Sequence, residues 1–193
     1  MNRITKKGTT FPVSKFPWEK DFPAKPATEV TVGYDDVGYR VRMVSYETTL
    51  RAVETAHNTP VCQDSCMELF MQFAPESDPR YINIEVNPNG AAYCGVNYRR
   101  GDSVLIDPAD IDTLCIRTAV YDDRWEIEYV IPSSFIQKYI PAYRHGEGTQ
   151  IRGNFYKCGD LTDHTHYGCF ANIEWDHPDF HRPEFFADFL LTE

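Results

Sequence analysis

Alternation with a period of two governs residues 64–87, and it leaves this chain few folds to choose from. From Cys66 to Phe73, Met67, Leu69, Met71 and Phe73 fall on one face, and Cys66, Glu68, Phe70 and Gln72 on the other. A turn-rich link follows, Ala74-Pro75-Glu76-Ser77-Asp78-Pro79. Beyond it Ile82, Ile84 and Val86 share a face, opposite Tyr81, Asn83, Glu85 and Asn87. Successive strand side chains point to opposite sides of a sheet. The two runs therefore predict a hairpin with one face in a core. The other face becomes a shelf of amides and carboxylates flanked by aromatics. A packed sheet does not need that shelf, whereas a polar, hydroxyl-rich ligand can use it.

The remaining chain repeats the strand signal. Thr28 to Gly33 and Tyr39 to Glu47 read as strands, and Leu50 to Ala56 is ambiguous between a helical turn and a strand. Ala91 to Tyr98 is a further strand, turned back at Pro88-Asn89-Gly90, where Asn-Gly favours a tight turn. Arg99 to Asp112 is a polar connection. Its aspartates lack the spacing of a calcium loop. Leu114 to Val120 and Trp125 to Ile131 form a hairpin around Asp122-Asp123, with Trp125 on the core face. Pro132-Ser133-Ser134 starts one short helix over Phe135 to Tyr139. Ile151 to Lys157 and Phe186 to Leu191 complete the strands. In residues 1–27, proline every few positions forbids helix and disfavours a central strand. That segment is expected to wrap the domain as an extended lead-in and pin its aromatics, Trp18 among them, into surface grooves. The fold predicted for 28–193 is all-β: a single-domain antiparallel β-sandwich, jelly-roll-like, of about ten strands and one short helix.

Composition narrows the partners. The 193 residues carry 29 acidic and 19 basic side chains, a formal charge of −10. Such a surface repels phosphate backbones, which argues against nucleic acid. No apolar run approaches a membrane span. Met1 to Lys7 has basic residues with no apolar segment after them, which is not a signal-peptide pattern. As it stands the chain is expected in the cytoplasm, and outside the cell only if a leader has been removed. A monomer is expected. The six cysteines form no Cys-x-x-Cys pair and read as small buried residues of a reducing compartment.

A longer signature lies in the C-terminal third: Ile151 to Asp160, then His166-Tyr167, then Pro178 to Phe186. Together with Asp64 to Phe70 and the strand from Trp125 to Pro132, it resembles the family 9 carbohydrate-binding modules, and most of all their compact, stand-alone bacterial branch. The resemblance covers nearly the whole chain after residue 28. It implies a β-sandwich that binds carbohydrate without catalysis, with plant-type glucan- or xylan-derived saccharides as ligands and a place in carbohydrate catabolism. It implies no cofactor, and leaves calcium open in a structural role. Family members of the xylanase-attached type hold terminal sugars between two tryptophans. This sequence has Val61-Cys62 where the first would fall and Phe185-Phe186 near the second.

Sugar recognition needs a flat aromatic face for the C–H side of the ring and planar polar groups for paired hydroxyls. The polar candidates are Glu68, Asn83, Glu85, Asn87, Arg152 and Asn154. Phe186, Trp175 and Tyr167 are the candidate platforms, and His181 and Arg182 sit in an aromatic, proline-containing corner. The predicted site is shallow. Plainer readings exist for several of these residues. Asn83, Glu85 and Asn87 also suit an ordinary solvent face, Arg152 an ion pair with Glu68 or Glu85, Asn154 a bulge, and His181 to Glu184 a lock on the chain end. Two enzymatic alternatives remain: a metal held by His164 and His166 with Asp160, Asp163, His177 or His181, and a glycoside hydrolase using Glu68 and Glu85. A protein-interaction sandwich is the third alternative.

Overall fold

Extended, β-branched and aromatic runs separated by turns produce a nearly all-β chain, and the computed structural model describes all 193 residues. The strands are β1 (Asn2–Thr5), β2 (Thr9–Val13), β3 (Ala27–Tyr34), β4 (Gly38–Tyr46), β5 (Cys66–Gln72), β6 (Tyr81–Val86), β7 (Ala92–Asn97) and β8 (Val104–Leu105). After the short helix α1 (Pro108–Asp112) come β9 (Arg117–Val120) and β10 (Trp125–Pro132). Helix α2 (Ser133–Tyr139) precedes β11 (Gln150–Cys158), β12 (Tyr167–Cys169) and β13 (Ala187–Thr192). One sheet runs β1-β13-β11-β5-β6-β7-β8, with β12 paired to the second half of β11; the other runs β2-β3-β4-β10-β9. All pairings are antiparallel except β1 with β13.

The predicted hairpins form, β5 with β6 and β9 with β10, and helix α2 lies over the expected residues. Several expectations need correction, beginning with Leu50 to Ala56, which forms neither a helical turn nor a strand. The polar connection after Tyr98 contains β8 and α1, the latter capped by the Asp107 carboxylate, which accepts from the Ala109 N–H at 2.8 Å. The lead-in contributes strands to both sheets, β1 at the edge of one and β2 at the edge of the other. An edge is where Pro12 can sit without leaving a ladder partner unsatisfied.

The facing sides of the sheets enclose a core of 34 residues, among them Met67, Leu69, Ile84, Phe155, Trp125 and Ile127. At one end of it lies a buried cation. Lys157 is fully enclosed and donates to Glu47 Oε2 at 2.9 Å, to the Cys158 carbonyl at 2.8 Å and to His166 Nε2 at 2.7 Å. The Trp125 indole and the Ser65 hydroxyl donate to the same glutamate, at 3.2 and 3.0 Å. His166 is left with Nδ1 to donate to the His164 carbonyl at 2.7 Å. Burial, and then Lys157, lower its pKa to about 4, so the ring is neutral.

The polar face of β5 and β6 does not meet solvent as a shelf. Every residue of both strands is buried, because a third layer covers this face. Residues 14–26 and 159–186 lie across it and build a second cluster of 12 residues around Trp18, Phe70, Tyr81, Tyr156 and Phe180. Tyr156 and Phe180 stack with centroids 4.1 Å apart and planes at 7°. Trp18 donates to the Trp175 carbonyl at 2.9 Å, which ties the two covering segments together.

Lys157→Met would leave the Glu47 carboxylate, with only 9% of its side chain exposed, without its cation. It is expected to lower unfolding free energy by about 3–5 kcal/mol in urea titrations, with much of this restored by adding Glu47→Gln. A loss no larger than about 1 kcal/mol, as for exposed pairs, would contradict this account.

Candidate binding site

The register of β5 on β6 sets Glu68 directly opposite Glu85. Like charges directly opposite one another on neighbouring strands are destabilising. Here both side chains are nearly sealed, 2% and 6% exposed, and both line a cavity of about 570 Å³ beneath the third layer. Pro60 and Cys62 wall it on one side and Phe22 of the lead-in on another. Tyr93 of β7 and Cys158 of β11 extend the sheet face, and Tyr167 belongs to β12. Arg100, Asp160 and the stretch from Pro178 to His181 come from loops. The Tyr167 ring meets Phe22 edge-on at 4.9 Å. A smaller hollow of about 370 Å³ on the outer side of the five-stranded sheet is lined by Lys7, Arg40, Arg42 and Arg117, with Tyr129 as its one aromatic.

Each glutamate is held by one oxygen. The Cys158 thiol donates to Glu68 Oε1 at 3.0 Å, and Asn83 Nδ2 donates to Glu85 Oε1 at 2.9 Å. Asn83 is itself oriented by Asn97 Nδ2, at 2.7 Å from its Oδ1. Gly95 makes room for this chain of amides, since a Cβ there would stand 3.0 Å from Asn83 Oδ1 and collide with Ser103 Oγ. The second oxygen of each glutamate receives no protein hydrogen bond.

Burial dominates the protonation of the site. It raises Glu85 to about 7. It raises Glu68 well above the ordinary carboxylate range, reinforced by the charge of Glu85. Burial also raises Asp160, opposed by the neighbouring Tyr167 hydroxyl and Cys62 thiol. Burial and then Arg100 lower His181 to about 4, so it is neutral, with Nδ1 at 2.8 Å from the Tyr81 hydroxyl. Arg100 is 65% exposed and pairs with Asp179 at 2.9 Å.

Of the residues singled out from the sequence, Glu68, Glu85, Tyr167 and His181 meet in the cavity, with Asn83 directly behind Glu85. The others are engaged elsewhere. Asn87 shapes its turn, accepting from the N–H groups of Asn89 and Ala91 and donating to Asp64 and the Glu54 carbonyl. Asn154 clamps the covering segment through both backbone groups of Ala171. It does not serve a bulge, because its register with Phe70 is continuous with that of its neighbours. Arg152 opposes Gln72, roughly 13 Å along the strand from Glu68. It binds Asp188, Gln72 and the Phe186 carbonyl instead of either cavity glutamate. Trp175 is 43% exposed outside the cavity, with the Arg182 guanidinium 3.3 Å over its ring. Phe186 is buried edge-on against Tyr81.

The residues missed are Phe22, Pro60, Cys62, Phe70, Tyr93, Arg100, Cys158, Asp160 and the stretch Pro178 to Phe180. Tyr93 was legible, since it alternates onto the same face as Glu85, its cross-strand partner. The loop residues left no such signal. The histidines do not converge on a metal. His164 is exposed, His166 is buried with both ring nitrogens engaged, and His177 pairs with Asp176 at 2.7 Å. The aspartates of the acid-rich segment are bonded within the protein. Asp102 accepts from the Tyr98 and Arg99 N–H groups, Asp110 binds Lys138 and Tyr139, and Asp112 faces His57. Four cysteines are buried as expected, but Cys62 is partly open and Cys115 is exposed; all six are unbridged.

The raised acids have a stability signature. A carboxyl whose folded pKa exceeds its unfolded one binds more protons when folded, so its contribution is lost as pH rises. For Glu85 that window runs from 4.5 to about 7. The stability of Glu85→Gln relative to the parent should therefore rise through this window. The steepest slope expected in paired urea titrations is about 1.4 kcal/mol per pH unit. Taking the difference removes the opposite slope from His166 and His181. A flat difference would contradict the assignment.

A sequence-family model described as Carbohydrate-binding family 9 matches residues 3–191. No curated protein matches in sequence. Among solved structures, a Bacteroides uniformis protein described provisionally as carbohydrate-binding is 25% identical, with a TM-score of 0.85 over 96% of this chain and 87% of its own. Two structures of a family 9 module from Caldicellulosiruptor kristjanssonii, solved with cellotriose and with glucose, share the fold at TM-scores of 0.62 and 0.63. They are 12% and 14% identical, covering 99% and 98% of this chain and 93% and 94% of theirs. No helix of this chain is long and apolar enough to cross a membrane. With the family model spanning both sheets and the covering layer, the chain belongs to carbohydrate-binding family 9.

Proposed function

We propose that the chain binds a saccharide in the cavity over Glu68 and Glu85 and carries out no reaction on it. The observation that carries this is the pair of buried glutamates lining an aromatic-walled hollow, each with one oxygen that no protein donor reaches. Such oxygens accept from sugar hydroxyls, while Phe22, Tyr93, Tyr167 and Phe180 offer flat faces to the ring. The volume lies within the range of small-ligand sites. The cellotriose and glucose held by the Caldicellulosiruptor modules support a pyranose ligand, while its origin in a glucan or xylan and a role in carbohydrate catabolism are part of the proposal.

The geometry favours binding over hydrolysis. A glycosidase sets its two carboxyl groups on either side of the scissile bond. Here both glutamates rise from one sheet face as direct cross-strand neighbours, so they address a ligand from the same side. The family's modules are in general non-catalytic binders, which agrees with this reading.

Calorimetric titration with glucose, cellotriose and xylo-oligosaccharides tests it. Glu68→Gln and Tyr167→Ala are expected to weaken binding by about tenfold or more, since each removes a group that touches the ring. Arg152→Ala should change affinity by less than about twofold, as its guanidinium lies far along the strand. Absence of binding to all three sugars overturns the proposal, and release of reducing sugar would turn it to hydrolysis.

A further inference from the structure

The cavity gathers acidic side chains for which the protein supplies no cation, so that they take up protons instead. Glu68, Glu85 and Asp160 all line it, and the groups that touch them (the Cys158 thiol, the Asn83 amide, and Tyr167 with Cys62) carry no positive charge. The one cationic side chain in the lining, Arg100, is largely exposed and bonded to Asp179. His181 is neutral. Lys157 lies on the strand beside Glu68, yet it projects to the opposite face of the sheet, where Glu47 takes it. Buried carboxylates are ordinarily paired with a cation or a metal, because an unpaired one costs heavily. Here the free oxygens of two of them, on side chains more than nine-tenths buried, face a hollow with aromatic walls. Carboxylates beneath and aromatic rings around form the surroundings in which a protonated amine is stabilised.

We infer that the preferred ligand is a saccharide bearing a free, protonated amino group, held by Glu68 and Glu85 beneath the rings of Phe22, Tyr93 and Tyr167. The inference rests on the saccharide reading above and names the class of sugar. A sugar ammonium brings the charge that the cavity otherwise has to take up as a proton. An N-acetylated sugar brings the same ring without the charge, and glucose brings a hydroxyl in its place.

The test is calorimetric titration of the full chain near pH 6.5 with glucosamine, N-acetylglucosamine and glucose, repeated in buffers of different ionisation enthalpy. A sugar amine is still protonated at that pH, as α-amino groups are. Glucosamine is expected to bind about tenfold or more tightly than either neutral sugar. Its binding should release protons, because the ammonium displaces those that the glutamates hold. Glucose binding should not. In Glu85→Gln the ratio of glucosamine to glucose affinity should fall below about threefold and the proton release should shrink, whatever the loss in overall affinity. Equal affinity for glucose and glucosamine without proton release overturns the amine inference and leaves the saccharide reading intact. If none of these sugars nor cellotriose binds, the saccharide reading fails, and the inference with it. An amine preference unchanged in Glu85→Gln also overturns the assignment, since the charge recognised would then lie elsewhere.

Discussion

The pairing of β5 with β6 is the constraint from which the site follows. Once Met67 faces Val86 and Leu69 faces Ile84 in the core, the intervening positions have no freedom, and Glu68 must face Glu85. A one-residue slip would bring the glutamates inward and the apolar set outward. The core therefore holds in place an arrangement that electrostatics alone would disfavour. The cost of opposing two carboxyl groups is carried by 34 packed residues on the other side of the same strands.

The third layer turns that arrangement into a site. On an open sheet the two glutamates would be hydrated, their mutual repulsion screened, and their protonation ordinary. The cover buries Glu85 without supplying a counter-charge, and that burial raises its pKa to about 7. The cover is fastened mostly by groups that do not line the cavity. Asn154 grips Ala171, Trp18 holds the Trp175 carbonyl, and Tyr156 stacks on Phe180. Fastening and cavity lining thus fall largely to different residues, with Phe180 in both sets.

Much of this was legible in the sequence, and the boundary of legibility has a physical cause. Alternation reports which residues share a face of a strand. It correctly grouped Glu68 with Phe70, and Asn83 with Glu85. It does not report what lies over that face, and the same pattern serves a solvated shelf and a covered cavity. The covering segments carry proline and irregular backbone, so no period marks Phe22, Asp160 or Phe180 as neighbours of Glu68. Arg152 and Asn154 misled for a related reason. Position along a strand depends on register between distant segments, and nothing local to residues 150–158 reveals that Arg152 falls beside Gln72. The lead-in was difficult because its prolines argue against a strand in general, whereas an edge strand tolerates them.

Adjacent residues of β11 show how differently the two faces treat charge. Lys157 turns inward and meets Glu47, with further donors from Trp125 and Ser65, so a buried carboxylate is fully answered. Tyr156 and Cys158 turn outward, opposite Glu68 and Cys66, and neither carries a charge. The chain thus places a lysine one residue away from where it would neutralise Glu68, and the alternation of the strand directs it to the other side. A sheet able to compensate one buried carboxylate so completely was under no geometric compulsion to leave two others without a cation. The uncompensated pair lies where the cover leaves a hollow, and the compensated one at an end of the core where Lys157 can reach it. That correspondence between charge and space is the physical ground for treating the outer face as built to receive something from outside the chain.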